Sequence, residues 1–220
     1  MLRFLKSLSR TVHEEERCQN QEPSNGGTHG GDDGGDGGGG PMSLTVWRKS
    51  LFVGCSGFTV INSDGNLVYR VDNYGGRRPQ ELVLMDANGI PVFTVARSKK
   101  LKMVDDWLVF KGEISSSKQK PICCARKYVD LLIRSKIKRL ARVYQSPYDE
   151  NSGYVIEGSY MNRSCKVLDQ SRNIVVEIRR KETTMEGVSF GQEVFVLVVI
   201  RGFDSGFAMA IVLLLDQMSL

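Results

Sequence analysis

The side chains best suited to chemistry in this chain are cations. The run Arg134-Ser-Lys-Ile-Lys-Arg sets Arg134, Lys136 and Lys138 at alternate positions, with Arg139 beside them. In an extended strand alternate side chains leave one face, so the three would stand about 7 Å apart and suit a phosphate or an anionic lipid surface. The pattern equally suits the solvent face of a sheet, where lysine discourages edge pairing. Two more basic runs, 97–102 and 179–181, carry the same chemistry, the first at a turn and the second at a strand end.

Other site chemistry is thin. Histidine occurs only at His13 and His29, in a glycine-rich leading segment. Ser-His-Asp and Cys-His nucleophiles and His-ligated metal are therefore excluded from the rest of the chain. The five cysteines, Cys18, Cys55, Cys123, Cys124 and Cys165, are odd in number and lack CxxC spacing. With no secretory signal, they read as reduced thiols of an intracellular protein, cytoplasmic or nuclear, or peripheral at the plasma membrane. Adjacent Cys123 and Cys124 would accept acyl groups on a membrane-facing surface, or else lie as inert thiols in a strand. No close carboxylate pair is framed by strand-end or glycine-loop signals, and no GxxxxGK[ST] phosphate loop is present. An enzyme is the weak reading, and no cofactor or metal is expected.

Charge divides the chain. Residues 1–40 hold four Lys/Arg against seven Asp/Glu, and residues 41–220 hold twenty-six against eighteen, net +8. Ten of the fifteen residues from Gly26 to Gly40 are glycine. That segment has too little apolar surface to offset its ordering entropy, so residues 1–41 are expected to be a disordered Gly/Asp-rich tail. At its start, Leu2, Leu5, Leu8 and Val12 alternate with Arg3, Lys6 and Arg10. Such a basic amphipathic stretch would touch a membrane or open a transit peptide, but Glu14, Glu15 and Glu16 argue against the latter. A basic domain also suits nucleic acid, although the clusters lack aromatic interleaving and any zinc-finger or helix-turn-helix pattern.

The elements that must position these residues are strands. Segments 58–73, 82–97 and 165–180 repeat one hairpin outline, turning at Asp64-Gly65, at Asn88-Gly89 and at 171–173. Asp-Gly and Asn-Gly predict two-residue type I′ turns. Further strands are expected at 51–54, 107–113, 123–125, 130–135, 154–159 and 193–201, about a dozen in all. The continuously apolar stretch 194–200 predicts a strand covered on both faces. Helical periodicity is nearly absent until the end, where nine apolar residues from Phe207 to Leu215 lie between Asp204 and Asp216. A span needs about 20 apolar residues, so the block cannot cross a bilayer. A surface helix would keep one polar face, so this one is expected to be surrounded by protein. An antiparallel meander of this many strands, closed into a barrel, is too wide to fill with its own side chains. An axial helix over 204–217, about 21 Å long at 1.5 Å per residue, would fill it. Asp204 or Ser205 caps that helix, and Gly206 and Ala208 let the wall come close.

The segments Leu44-TVWRKSL, Tyr69-RVDNY, Asp106-WLVFKGE, Tyr154-VIEGSYMNRSC and Asp204-SGFAMAIVLLLDQM, in that order, carry a resemblance across residues 42–218. The chain resembles the plant LURP-one-related proteins, which group with tubby C-terminal-like proteins and phospholipid scramblases. The resemblance implies a mostly β fold, a closed antiparallel barrel of about twelve strands around a central hydrophobic C-terminal helix. It also implies a link to plant defence, no established catalysis, and a relation to membrane-tethered transcription factors. Scramblases give their last helix a membrane-spanning character, which Asp204 and Asp216 deny here. The basic pocket of tubby proteins matches no motif of this chain. The expected function is a non-enzymatic adaptor or sensor on anionic phospholipid or a protein partner; the alternatives are a nucleic-acid-linked regulator and scramblase-like lipid handling.

Overall fold

The computed structural model describes residues 40–73, 81–98, 106–116, 118–128, 138–146, 149–181 and 191–219. The chain divides into two units, Met1–Gly37 and Gly38–Leu220. The described residues belong to the second, and the leading tail lies outside them.

Twelve strands follow one another: β1 (Met42–Trp47), β2 (Ser56–Ile61), β3 (Leu67–Asn73), β4 (Glu81–Asp86), β5 (Pro91–Arg97), β6 (Asp106–Lys111), β7 (Cys123–Lys127), β8 (Arg139–Ser146), β9 (Asp149–Ser159), β10 (Ser164–Leu168), β11 (Ile174–Arg180) and β12 (Val194–Val199). Each pairs antiparallel with its chain neighbours, and β1 pairs with β12 through Leu44 opposite Leu197, closing the barrel. Helix α1 (Ser205–Ser219), the single helix among the described residues, follows β12.

Alternation along the strands sends one face inward. Leu44, Val46, Val60, Leu84, Val95, Val109, Val143, Ile156, Val167, Ile178 and Leu197 are all buried against α1 in one core. Residues Ala208 to Leu215 of α1 expose no more than 2% of their surface. The expectation of a helix enclosed on every side therefore holds, with bounds one or two residues later than read from sequence. Asp204 caps it: its Oδ1 accepts the Phe207 N–H at 2.6 Å. A Cβ at Gly206 would come within 3.1 Å of the Phe93 ring, so the wall does use that small residue for close approach. Among the described residues no helix is long and apolar enough to cross a membrane.

The three hairpins repeat one turn, which at Asp64-Gly65 and Asn88-Gly89 differs from the two-residue type expected there and in the third lies at residues 171–173 as expected. The backbone N–H of Gly65, Gly89 and Arg172 each donates to the carbonyl three residues back, at Asn62, Asp86 and Asp169. Only one residue per loop has positive φ, at 82°, 84° and 67° for Gly65, Gly89 and Arg172. This is a type I turn followed by a bulge residue, with the matching register shifts at Val60/Ile61, Leu84/Met85 and Val167/Leu168. Asn62, Asp86 and Asp169 complete each turn by accepting backbone N–H groups on their side chains, for instance Ile90 N–H to Asp86 Oδ1 at 2.8 Å. The side-chain acceptor preorganises the three-residue loop, which explains why the two-residue form is not used.

Three other expectations change. Residues 51–54 form an exposed loop between β1 and β2, not a strand. The strand expected at 130–135 lies outside the described residues. In β12 the side chains alternate, with Phe195, Leu197 and Val199 buried and Val194, Val196 and Val198 only half-buried, so that strand is fully covered on one face alone. Its outward valines gave the run its continuous apolar look.

Candidate functional site

In an antiparallel barrel whose strands pair in chain order, successive connections alternate between two rims. Helix α1 follows β12 and so enters the lumen at the rim holding the β2–β3, β4–β5 and β10–β11 turns. It ends at the other, the exit rim. There β5 finishes at Arg97, β7 at Lys127, β8 begins at Arg139 and β11 finishes at Arg180. The three basic runs of the sequence therefore issue from one rim, which the sequence alone left open.

Of the expected anion-binding residues, Lys138 is exposed just before β8, and Arg139 opens that strand. Arg134 and Lys136 lie outside the described residues. Arg139 is already engaged: its Nε stands 3.9 Å from Glu157 Oε1, and its guanidinium lies 5.6 Å from the Tyr128 ring. Arg179 pairs with Glu177. Lys181 donates to Thr45 Oγ1 at 3.0 Å. Among the described residues no carboxylate lies within ion-pair distance of Lys49, Lys138 or Arg180.

The exit rim is held to α1 by a polar cluster that the sequence reading missed. Asp216, 6% exposed, accepts Arg48 Nε at 2.8 Å and the Tyr160 hydroxyl at 3.2 Å. Burial works against the charge on Arg48, but the Asp216 carboxylate and its hydrogen bond outweigh it and hold the guanidinium more firmly protonated than usual. Burial, then the charge of Asp216, raises the Tyr160 hydroxyl above the ordinary phenol range. Arg163 lies 4.2 Å from the Tyr160 ring and 4.4 Å from the Phe195 ring. Its Nε donates to the Gln192 carbonyl, while its Nη1 is buried without a hydrogen-bond partner among the described residues. Lys127 Nζ donates to the Met218 carbonyl at 2.7 Å, placing a cation on the negative end of the helix dipole. In the sequence Asp216 showed only as the polar residue ending an apolar block.

The strand thiols are structural. Cys123 and Cys165 are buried, and burial pushes each up to about 12. Cys124 is also raised by burial. Of the two readings of the Cys123–Cys124 pair, the strand thiol fits: both are buried in β7.

The second missed feature is the β1–β2 loop. Leu51 and Phe52 expose 52% and 46% of their surface, and Val53 all of it. The loop is clipped to the outer wall. Thr59 Oγ1 donates to the Lys49 carbonyl at 2.8 Å, Ser50 Oγ donates to Asp72 Oδ1 at 2.6 Å, and Ser50 Oγ accepts the Phe52 N–H at 3.1 Å. Arg70 lies 5.6 Å from the Phe52 ring and Lys49 lies 5.4 Å from the Trp47 ring. Tandem apolar residues beside an alternating segment look like strand, which is why sequence pattern hid the loop. At the entry rim, a cleft of about 240 Å³ is lined by Gly153, Tyr154, Asp169, Gln170 and Ser171, none of them basic.

Comparisons with known proteins converge. The LURP-one-related family model matches residues 42–216. Protein LURP-one-related 17 of Arabidopsis thaliana is 45% identical over 224 residues, covering 99% of both chains. Protein LURP-one-related 8 of the same plant is 46% identical over 177 residues, covering 80% of this chain and 86% of its own. An X-ray structure of an Arabidopsis thaliana protein superposes with a TM-score of 0.58 at 21% identity, over 82% of this chain and 92% of the other. That likeness supports the fold.

Proposed function

The chain belongs to the LURP-one-related family, and from that premise we propose a non-catalytic adaptor or sensor that binds anionic phospholipid through its exit rim. It acts inside the cell, cytoplasmic or nuclear with a peripheral place at the plasma membrane, in a plant defence or signalling setting. The observation that carries the reading is that Arg97, Arg139 and Arg180, through which the three basic runs meet the described strands, lie at one rim, where Lys49, Lys138 and Arg180 stand without carboxylate partners among the described residues. Cations spaced along a rim attract an anionic leaflet, each contributing about 1 kcal/mol near the surface. Arg134, Lys136, Lys138 and Arg139 form the proposed contact.

Sedimentation of residues 41–220 with anionic liposomes tests this. Binding should fall several-fold in Arg134→Ala/Lys136→Ala/Lys138→Ala, and no dependence on anionic lipid would refute the reading. The same cations would meet a nucleic-acid backbone, and the second reading is a nucleic-acid-linked regulator. It requires salt-dependent DNA binding well above that of a charge-matched control protein. Scramblase-like lipid passage would need an open lumen, and the packing of Ala208 to Leu215 weighs against it.

A further inference from the structure

We propose that the β1–β2 loop is a membrane wedge, whose tip Leu51-Phe52-Val53 enters the acyl boundary of an anionic bilayer while Trp47 and Lys49 sit at the headgroups. The proposal rests on the lipid reading above and adds what that reading lacks, an apolar component of binding.

Three consecutive large apolar side chains at a loop tip are costly to leave in water, and a loop free to move would fold them against the wall. This loop is not free to do so. The Thr59, Ser50 and Asp72 hydrogen bonds fasten its base, the Cys55 N–H donates to the Phe52 carbonyl, and Gly54 turns at a φ of 84°. The tip is thus displayed, with little conformational entropy left to lose on insertion.

Chemistry around the tip selects the partner. Trp47, 41% exposed, lies on the outer face of β1 with Lys49 near its ring, an aromatic and a cation of the kind that settle at a membrane interface. Arg70, ion-paired with Asp72 at 3.7 Å, backs the Phe52 ring from the wall. A second copy of the chain is a poorer fit. The patch offers only a few hundred Å², where a stable interface takes roughly 800 Å² from each partner.

Sedimentation of the full-length chain with phosphatidylcholine vesicles, with and without phosphatidylserine, tests the wedge. Leu51→Ser/Phe52→Ser/Val53→Ser should weaken binding to the anionic vesicles at least about tenfold with the melting temperature unchanged, since none of the three joins the core. Val53→Asp, at a side chain wholly in solvent, is the single-site version and should act in the same direction. Phe52→Trp should add an emission that shifts to the blue and is quenched by brominated acyl chains only on anionic vesicles. If the wild type binds, the serine and Asp variants bind equally well and position 52 is not quenched, the wedge is overturned and the lipid reading stands. If the wild type binds neither vesicle, both are overturned. A serine variant that changes the assembly state of the free protein would place a second copy on the loop and also overturn the wedge.

Discussion

The two rims of the barrel are built by different means. At the entry rim, Asn62, Asp86 and Asp169 each close a tight turn through atoms within four residues, and Asp204 caps α1 three residues on. Tyr69, meeting Ser205 at 2.9 Å, supplies a longer link there. At the exit rim the joints are distant in sequence: Arg48 reaches Asp216 across 168 positions, and Lys127 reaches Met218 across 91. Local chemistry finishes three connections of one end as tight turns, and Lys111, Lys118, Lys120, Arg172 and Arg201 make that end cationic too. The other end is joined to the helix only by folding, and Arg97, Lys138, Arg139 and Arg180 stand there with the exposed β1–β2 loop.

The largest expected effect removes both rims at once. Truncation before Asp204 strips the lumen of its contents, and the product should be unfolded and aggregating by circular dichroism and size-exclusion chromatography. A soluble, cooperatively melting truncation would break the idea that the helix underlies either rim. Next is Asp216→Ala, which leaves Arg48 and Tyr160 without their acceptor. Because Arg48 is partly solvated, the loss should fall toward the lower end for a broken buried pair, about 3 kcal/mol by denaturant unfolding. Asp86→Ala removes a local acceptor from two backbone N–H groups and should cost about 1 kcal/mol. If Asp86→Ala proved as costly as Asp216→Ala, the contrast between the rims would collapse.

The smallest effect concerns thiols. With Cys123 and Cys165 at about 12, iodoacetamide at pH 8 should leave both unmodified in the native domain while labelling half-buried Cys55, as read by mass spectrometry. These raised values mean that the folded state holds the proton more tightly than the unfolded one. Their contribution is complete below the ordinary thiol range and is lost as pH rises from there through about 12.

The readable parts of the sequence were those whose cause is local. Asp64-Gly65 and Asn88-Gly89 announced hairpins, and the unbroken apolar block from Phe207 to Leu215 announced an enclosed helix. Even there the turn type was misjudged, because the Asn62 and Asp86 side chains add acceptors that a dipeptide rule ignores. The gathering of the basic runs was not readable, since it depends on which connections share a rim, a property of the closed topology. Nor was the loop at 51–54, whose outward course is decided by Thr59 and Asp72 on other strands.

The position of α1 also bears on how the chain is made. The barrel closes by pairing Leu44 with Leu197, and the helix that fills it follows the twelfth strand. Domains commonly fold as they emerge, N-terminal parts first. Here the inner face of the wall lacks its filling until α1 has been made. Closure then proceeds at the slow pace of long-range pairing, and the unfilled sheet that precedes it is exposed to aggregation.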